Sequence, residues 1–175
     1  MSEKTPTRLE QRGGLYFDEL QLGATYVHKP GRTLTEADNV AFTTMTMNNQ
    51  GLHLDAAWAS TQPFGKPLVN SLLTLSTMIG QSVGQLTEGT IVGQLGINDV
   101  KFPHPMFHGD TLYTETEITA LRESKSRPGQ GLASMTHTGR NQHGDIVATA
   151  TRTCLMWTRQ AHQDSLEAKG ENANG

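Results

Sequence analysis

VNSLLTLSTMIGQSVGQ, residues 69–85, is the stretch on which the fold turns. Leu72, Leu73, Leu75, Met78, Ile79 and Val83 recur at helical spacing and cover most of the circumference of one long helix. A helix that apolar is expected to be buried on more than one side. Gly80 and Gly84, four positions apart, would let a sheet or a second helix approach closely. Beyond this helix the period becomes alternating. Residues 90–102, 111–122, 132–141 and 146–157 read as strands, most plainly in YTETEI (113–118) and VATATRT (147–153). HGD (143–145) marks a tight turn and SRPGQG (126–131) a longer one. One buried helix followed by a long antiparallel meander predicts an α+β domain whose curved sheet wraps around the helix.

Working outward, residues 24–30 are a first strand. In TLTEAD (33–38), Thr35 followed three residues later by Asp38 is a helix start. That helix is expected to run to about residue 47, with Ala37, Val40, Ala41, Thr44 and Met45 as its apolar stripe. Asp55 is a good N-cap for a short helix over 56–61, which Pro63 and the Gly65-Lys66-Pro67 turn end. Residues 1–14 and 160–175 read as flexible tails, leaving one domain over 15–159; the last run is small, polar and without periodicity.

A chain of 175 residues buries a real core, and a domain of this size often completes it in a dimer. A net charge of -3 carries no nucleic-acid footprint. With 35% hydrophobic residues, no apolar run approaches the ~20 residues of a membrane span. The polar N-terminal residues lack the apolar stretch of a secretory signal, so a cytoplasmic protein is expected. Cys154 is the single cysteine, which excludes an internal disulfide; in an alternating segment it reads as a small buried apolar residue. His104 and His108 do not have a metal spacing, and no phosphate-binding glycine loop or nucleotide fingerprint is present, so neither metal nor cofactor is expected.

The chemistry concentrates in NNQGLHLD (48–55), between the first helix and PLVNS (67–71). Three segments, TLTEAD followed by Phe42, NNQGLHLD, and FGKPLVNS (64–71), together with FHGDTL (107–112), resemble the MaoC-like (R)-specific enoyl-CoA hydratases. The resemblance spans about residues 16–157 and implies the hot-dog fold, a curved antiparallel sheet around a central helix. The departures are specific. Asn48 stands where the family has its catalytic aspartate, Gln50 where it has asparagine, and Asn70-Ser71 where it has His-Gly. His53 alone remains of the catalytic pair. This variant pattern, with RESKSRPG (122–129) and TGRNQHGDIVATAT (138–151), is similar to a subgroup named for itaconyl-CoA and mesaconyl-CoA hydratases.

The resemblance implies a lyase that adds water across the double bond of a short, branched C5 dicarboxylate enoyl-CoA, with CoA as part of the substrate. Such chemistry needs a base for water, an acid for the α-carbon and donors for the thioester oxygen. His53 is the only group in the motif that titrates near neutrality. Asn48 is no base; it either orients water or ends the helix. Asp55 either joins His53 or serves as the N-cap. Gln50 either donates to substrate or faces solvent, and Asn70 either contacts a substrate carboxylate or caps the central helix. The resemblance implies an oxyanion donor at the backbone of Ser71, where helix N–H groups are unpaired. Lys66, Arg32, Lys101 and Arg140 are open candidates for a second carboxylate. Lys125 and Arg127, beside Arg122, either touch CoA phosphates or form a solvated turn. The resemblance also implies a homodimer with sheets edge to edge. Two alternatives stay open: a hot-dog thioesterase, against which the helix over 69–85 carries no acidic residue, and a non-catalytic acyl-CoA-binding protein, which Asn48 favours.

Overall fold

A computed structural model describes residues 13–173. In chain order it holds β1 (Thr25–Val27), β2 (Arg32–Thr33), α1 (Glu36–Met45), α2 (Gly51–Leu54), α3 (Ala56–Ala59), α4 (Ser71–Leu86), β3 (Ile91–Lys101), β4 (Thr111–Glu123), β5 (Gln130–Arg140), β6 (Ile146–Trp157) and α5 (Arg159–Ala173). The strands form an antiparallel sheet in the order β1-β4-β5-β6-β3, with β2 also paired to β4. The meander read from alternation is therefore present, with strand ends within about two residues of those expected. Gly144 adopts φ +87 in the turn joining β5 to β6, a conformation that glycine permits without strain.

α4 lies across one face of β4, β5 and β6. Along β5 every second residue from Gly131 to Gly139 is buried on that face. Leu75 and Met78 of α4 pack with Leu34, Leu112, Val147 and Ala150; a second cluster gathers Leu86, Ile118, Met135, Cys154 and Met156. Burial pushes the Cys154 thiol up, so it behaves as an apolar residue.

Between helix and sheet runs a polar line: Gln85, His28, Thr116 and His137 are joined at 2.9, 2.7 and 2.7 Å. Burial pushes His137 down to about 3, with the nearby Arg152 guanidinium and His28 acting in the same direction. Burial likewise lowers His28, while its bond to Gln85 opposes the shift. Arg152 is itself buried, its guanidinium set against the Met135 sulfur.

Four expectations are corrected. Within one chain α4 is buried on one side only: Leu72, Ser76, Gly80 and Gly84 face outward, and nothing lies within 4 Å of a Cβ added at either glycine. The expected apolar stripe of α1 is likewise exposed at Ala37, Val40, Ala41, Thr44 and Met45, whereas Asn39 and Thr43 are buried. Their polar groups bind the segments that follow, which outweighs the apolar period on this helix.

The expected tail over 160–175 is instead largely α5, without an apolar face to announce it. Its first turn is docked. The Arg159 N–H donates to Asp18 at 3.1 Å, the Arg159 guanidinium pairs with Glu19 and lies over the Tyr16 ring, and His162 stacks on Trp157. At the other end of the chain, residues 1–12 of the expected tail lie outside the described residues. Gly14, also assigned to it, donates to the Glu88 carbonyl at 2.7 Å and so belongs to the fold. Among the described residues no helix is long and apolar enough to cross a membrane, and no group of three or more His, Cys, Asp or Glu is placed to hold a metal ion.

Candidate functional site

The site is assembled on the polar face of α1. Thr35 and Asp38 form the expected capping box: the Asp38 N–H donates to the Thr35 hydroxyl, and the Thr35 N–H and hydroxyl donate back to the carboxylate. The Thr35 hydroxyl above all, then its amide, holds the Asp38 carboxyl below the usual range. At the far end of α1, Met47 turns the chain in the left-handed region at φ 57. Asn48 follows, its N–H bonded to the Thr43 carbonyl at 3.0 Å and its Oδ1 accepting from the Gln50 N–H at 3.1 Å. That turn starts α2, which carries His53.

His53 Nδ1 lies 2.9 Å from the Leu68 carbonyl oxygen. A carbonyl only accepts, so Nδ1 carries the hydrogen and Nε2 of the neutral ring keeps its lone pair. The ring is thereby oriented, with Nε2 available to accept a proton. The same Leu68 residue donates its N–H to the Leu52 carbonyl at 3.0 Å and leads directly into α4.

Asn39 ties these pieces together. Fully buried, it accepts the Asn70 N–H on Oδ1 at 2.7 Å. Its Nδ2 reaches the carbonyls of His53 at 3.1 Å and Leu68 at 3.3 Å, and His108 Nε2 at 3.1 Å. One side chain thus fixes the His53 turn against the start of the central helix. Neither Asn39 nor His108 was singled out from sequence as a site residue. The signal available was the polar pair Asn39 and Thr43, one helical turn apart inside α1.

At the start of α4, Asn70 is the N-cap. Its Oδ1 accepts the Leu72 N–H at 3.0 Å and its Nδ2 donates to the Thr43 hydroxyl at 3.3 Å. Both ends of the amide are engaged and the residue is buried, so the expectation that Asn70 contacts substrate gives way to the cap. Among the described contacts the Ser71 N–H has no acceptor, as the first amide of a helix requires unless something outside supplies one. Leu68, Val69 and Ser71 also line a cavity of about 280 Å³ walled by Phe64, Phe102 and Val147.

Asp55 is the N-cap of α3, its Oδ1 accepting the Trp58 N–H at 2.9 Å, and the residue faces solvent. The shared turn brings Gln50 beside Asn48 and His53, and its side chain is exposed. Of the candidate cations, Arg32 pairs with Asp38 at 2.8 Å, Arg140 lies 3.6 Å from Glu115, and Lys66 sits 4.0 Å over the Phe107 ring. Lys125 and Arg127 are not brought to His53 in the same chain. They flank, with Arg122, a cavity of about 290 Å³ floored by Leu95, Leu132 and Leu155 beyond the end of β4. The bridge between Leu68 and Phe107 puts the His53 side at the opposite end of that strand, ~40 Å of extended chain away.

Residues 19–141 match the family model described as MaoC like domain. The chain is 26% identical over 154 residues to the beta-methylmalyl-CoA dehydratase of Chloroflexus aurantiacus, covering 88% of this chain and 43% of that protein. It is 37% identical over 89 residues to the (R)-specific enoyl-CoA hydratase of Aeromonas caviae, covering 51% of this chain and 65% of that one. The chain therefore spans less than two thirds of the length of either relative. A solved Mycobacterium tuberculosis protein described as a double hot-dog fold matches with TM-score 0.74 and 30% identity, over 83% of this chain and 45% of that one. The antiparallel sheet with α4 laid across it is a single hot-dog unit.

Proposed function

The chain belongs to the MaoC-like domain family, and on that premise we propose that it is a hydro-lyase acting reversibly on an enoyl-CoA thioester. The observation that carries the reading is His53, with Nε2 left as the base and its Nδ1 pinned on the carbonyl of Leu68, which lies shortly before the acceptor-free Ser71 N–H in the chain.

In the hydration direction, His53 Nε2 takes a proton from water as the water oxygen bonds to the β-carbon. The double-bond electrons move toward the thioester oxygen, which the Ser71 N–H holds as it gains charge. The enolate then collapses and its α-carbon takes the proton back from the His53 imidazolium. One water is added and CoA is retained. Because Asn48 is an amide, both proton steps fall to His53. Asn48 Oδ1 is occupied by the Gln50 N–H, which leaves Nδ2 to orient the water. Gln50 borders the site as a donor to substrate, and Asp55 serves as a cap.

The substrate we propose is a branched C5 dicarboxylate thioester of the itaconyl-CoA or mesaconyl-CoA type. Support comes from the variant motif and from the relative named for beta-methylmalyl-CoA. No cofactor beyond the CoA of the substrate enters this chemistry.

We further propose that the working unit is a homodimer. β3 is the edge of the sheet and exposes Val92, Leu95 and Val100. An uncovered apolar edge strand is a pairing surface. Two-fold pairing of β3 with its copy would bring the second copy's Arg122, Lys125 and Arg127 toward the Lys101 end of the first, where they would meet CoA phosphates.

The binding-only reading rests on Asn48 and predicts affinity without turnover. His53→Ala separates the two. The hydratase reading expects kcat to fall by about 100-fold or more while thioester affinity changes little. Near-full hydration by His53→Ala would remove the mechanism.

A further inference from the structure

The geometry points to His104 as the residue that recognises the distal carboxylate of the acyl group. This rests on the dicarboxylate hydratase reading and assigns a specificity determinant to the cavity that His104 shares with Ser71.

The cavity that Ser71 borders is walled mainly by apolar side chains, and His104 is the only titratable one among them. Its volume of about 280 Å³ is close to the lower limit of ~300 Å³ for small-molecule sites. Ser71, whose N–H has no acceptor among the described contacts, is one of the lining residues. His104 supplies the complementary group elsewhere on the wall. Its Nδ1 lies 3.0 Å from the Ile146 carbonyl oxygen, so that nitrogen carries hydrogen and the ring is oriented. Nε2 has no hydrogen bond among the described contacts, and in the imidazolium form it would donate to an anion.

The backbone around it is restrained. Pro103 and Pro105 flank His104 and fix φ on either side, which lowers the ordering cost of presenting the ring. The other cations considered for this role do not line the cavity: Lys66 is held over Phe107, Arg32 is paired with Asp38, Arg140 lies near Glu115, and Lys101 is exposed at the end of the edge strand. The apolar wall of Phe64, Val69 and Phe102 would take a methyl branch. An acyl group with a thioester at one end, a carboxylate at the other and a short branch between them matches these features.

The test compares mesaconyl-CoA, which has a distal carboxylate, with crotonyl-CoA, which lacks one, using the wild-type chain, His104→Phe and His104→Lys. Loss of a hydrogen bond to a charged group predicts a fall of about tenfold or more in kcat/KM for mesaconyl-CoA in His104→Phe, mostly through KM. Crotonyl-CoA should stay within about twofold, which also shows that the variant is folded. His104→Lys should recover part of the preference. An equal loss on both thioesters, or no loss on either, overturns the assignment.

Binding of the saturated analogues methylsuccinyl-CoA and butyryl-CoA is measured on the same proteins. If wild type hydrates neither substrate, the hydratase reading fails. A methylsuccinyl-CoA preference that His104→Phe abolishes would still uphold the role of His104. A preference unchanged in His104→Phe, or none in wild type, overturns it.

Discussion

Replacing Asn39 by leucine keeps much of its volume and removes every hydrogen bond that its own side chain makes at the junction of α1, the His53 turn and α4. The Asn70 N–H loses its 2.7 Å acceptor and the His53 carbonyl its 3.1 Å donor. The Leu68 carbonyl keeps the His53 imidazole and is less affected. Two backbone groups are thus left without partners near a fully buried position, and His108 Nε2 also loses its contact. At ~1–3 kcal/mol each, the expected destabilisation is about 2–6 kcal/mol, a large part of the ~5–15 kcal/mol of a typical domain. Urea unfolding followed by circular dichroism measures it. With a slope of ~2 kcal/mol per molar, a loss near the middle of that range lowers the midpoint by about 2 M. Asn39→Asp retains Oδ1 as an acceptor for Asn70 but sets a carboxylate against two carbonyl oxygens, so it too should unfold earlier. A midpoint within about 0.3 M of wild type for Asn39→Leu would mean that Asn39 does not hold the site together.

Acid should weaken the fold through His137. The folded protein holds this ring neutral down to about 3 against an ordinary value of 6.5, so between those values the unfolded chain binds a proton that the folded one does not. Stability is therefore full above the ordinary value and is lost as pH falls. At about pH 4.5 the loss from His137 alone is about 3 kcal/mol, and His28, lowered too, adds in the same direction. Urea midpoints at neutral and acid pH should show this, and His137→Gln should flatten the dependence; an unchanged slope in that variant would contradict it. Mixed dimers test the placement of the basic pocket. His53→Ala and an Arg122→Glu, Lys125→Glu, Arg127→Glu triple variant, each inactive alone, should on mixing recover about a quarter of wild-type activity, since half the dimers are mixed and each has one intact composite site. No recovery, with mixed dimers verified by mass, would place both halves of the site in one chain or dismiss the pocket.

The sheet and central helix were legible because they obey local rules. β5 alternates without a break from Gly131 to Gly139, and α4 begins at an asparagine whose side chain caps it. Two features were not legible, for different reasons. α1 carries its apolar residues outward and buries Asn39 and Thr43, so a reading by hydrophobic period selects the wrong face. The buried side there is chosen by hydrogen bonds to segments far along the chain, such as Asn70, and no local pattern encodes them. α5 has no apolar stripe; it is held by Arg159 and His162 against Tyr16 and Trp157, contacts that exist only after the sheet has formed. The site was half legible. His53 stood out by residue type and spacing, whereas the commitment of Asn70 to the cap and the Asn39 junction needed the tertiary structure.

The most direct test of the central claim is to incubate the chain with mesaconyl-CoA, itaconyl-CoA and crotonyl-CoA, follow the conjugated-enoyl absorbance, and identify the products by mass. A hydratase would add one water with CoA retained, fastest on a dicarboxylate thioester. Release of free CoA would mean a thioesterase, and binding without any change in mass would mean that Asn48 marks a recognition site; either result would contradict the hydratase reading.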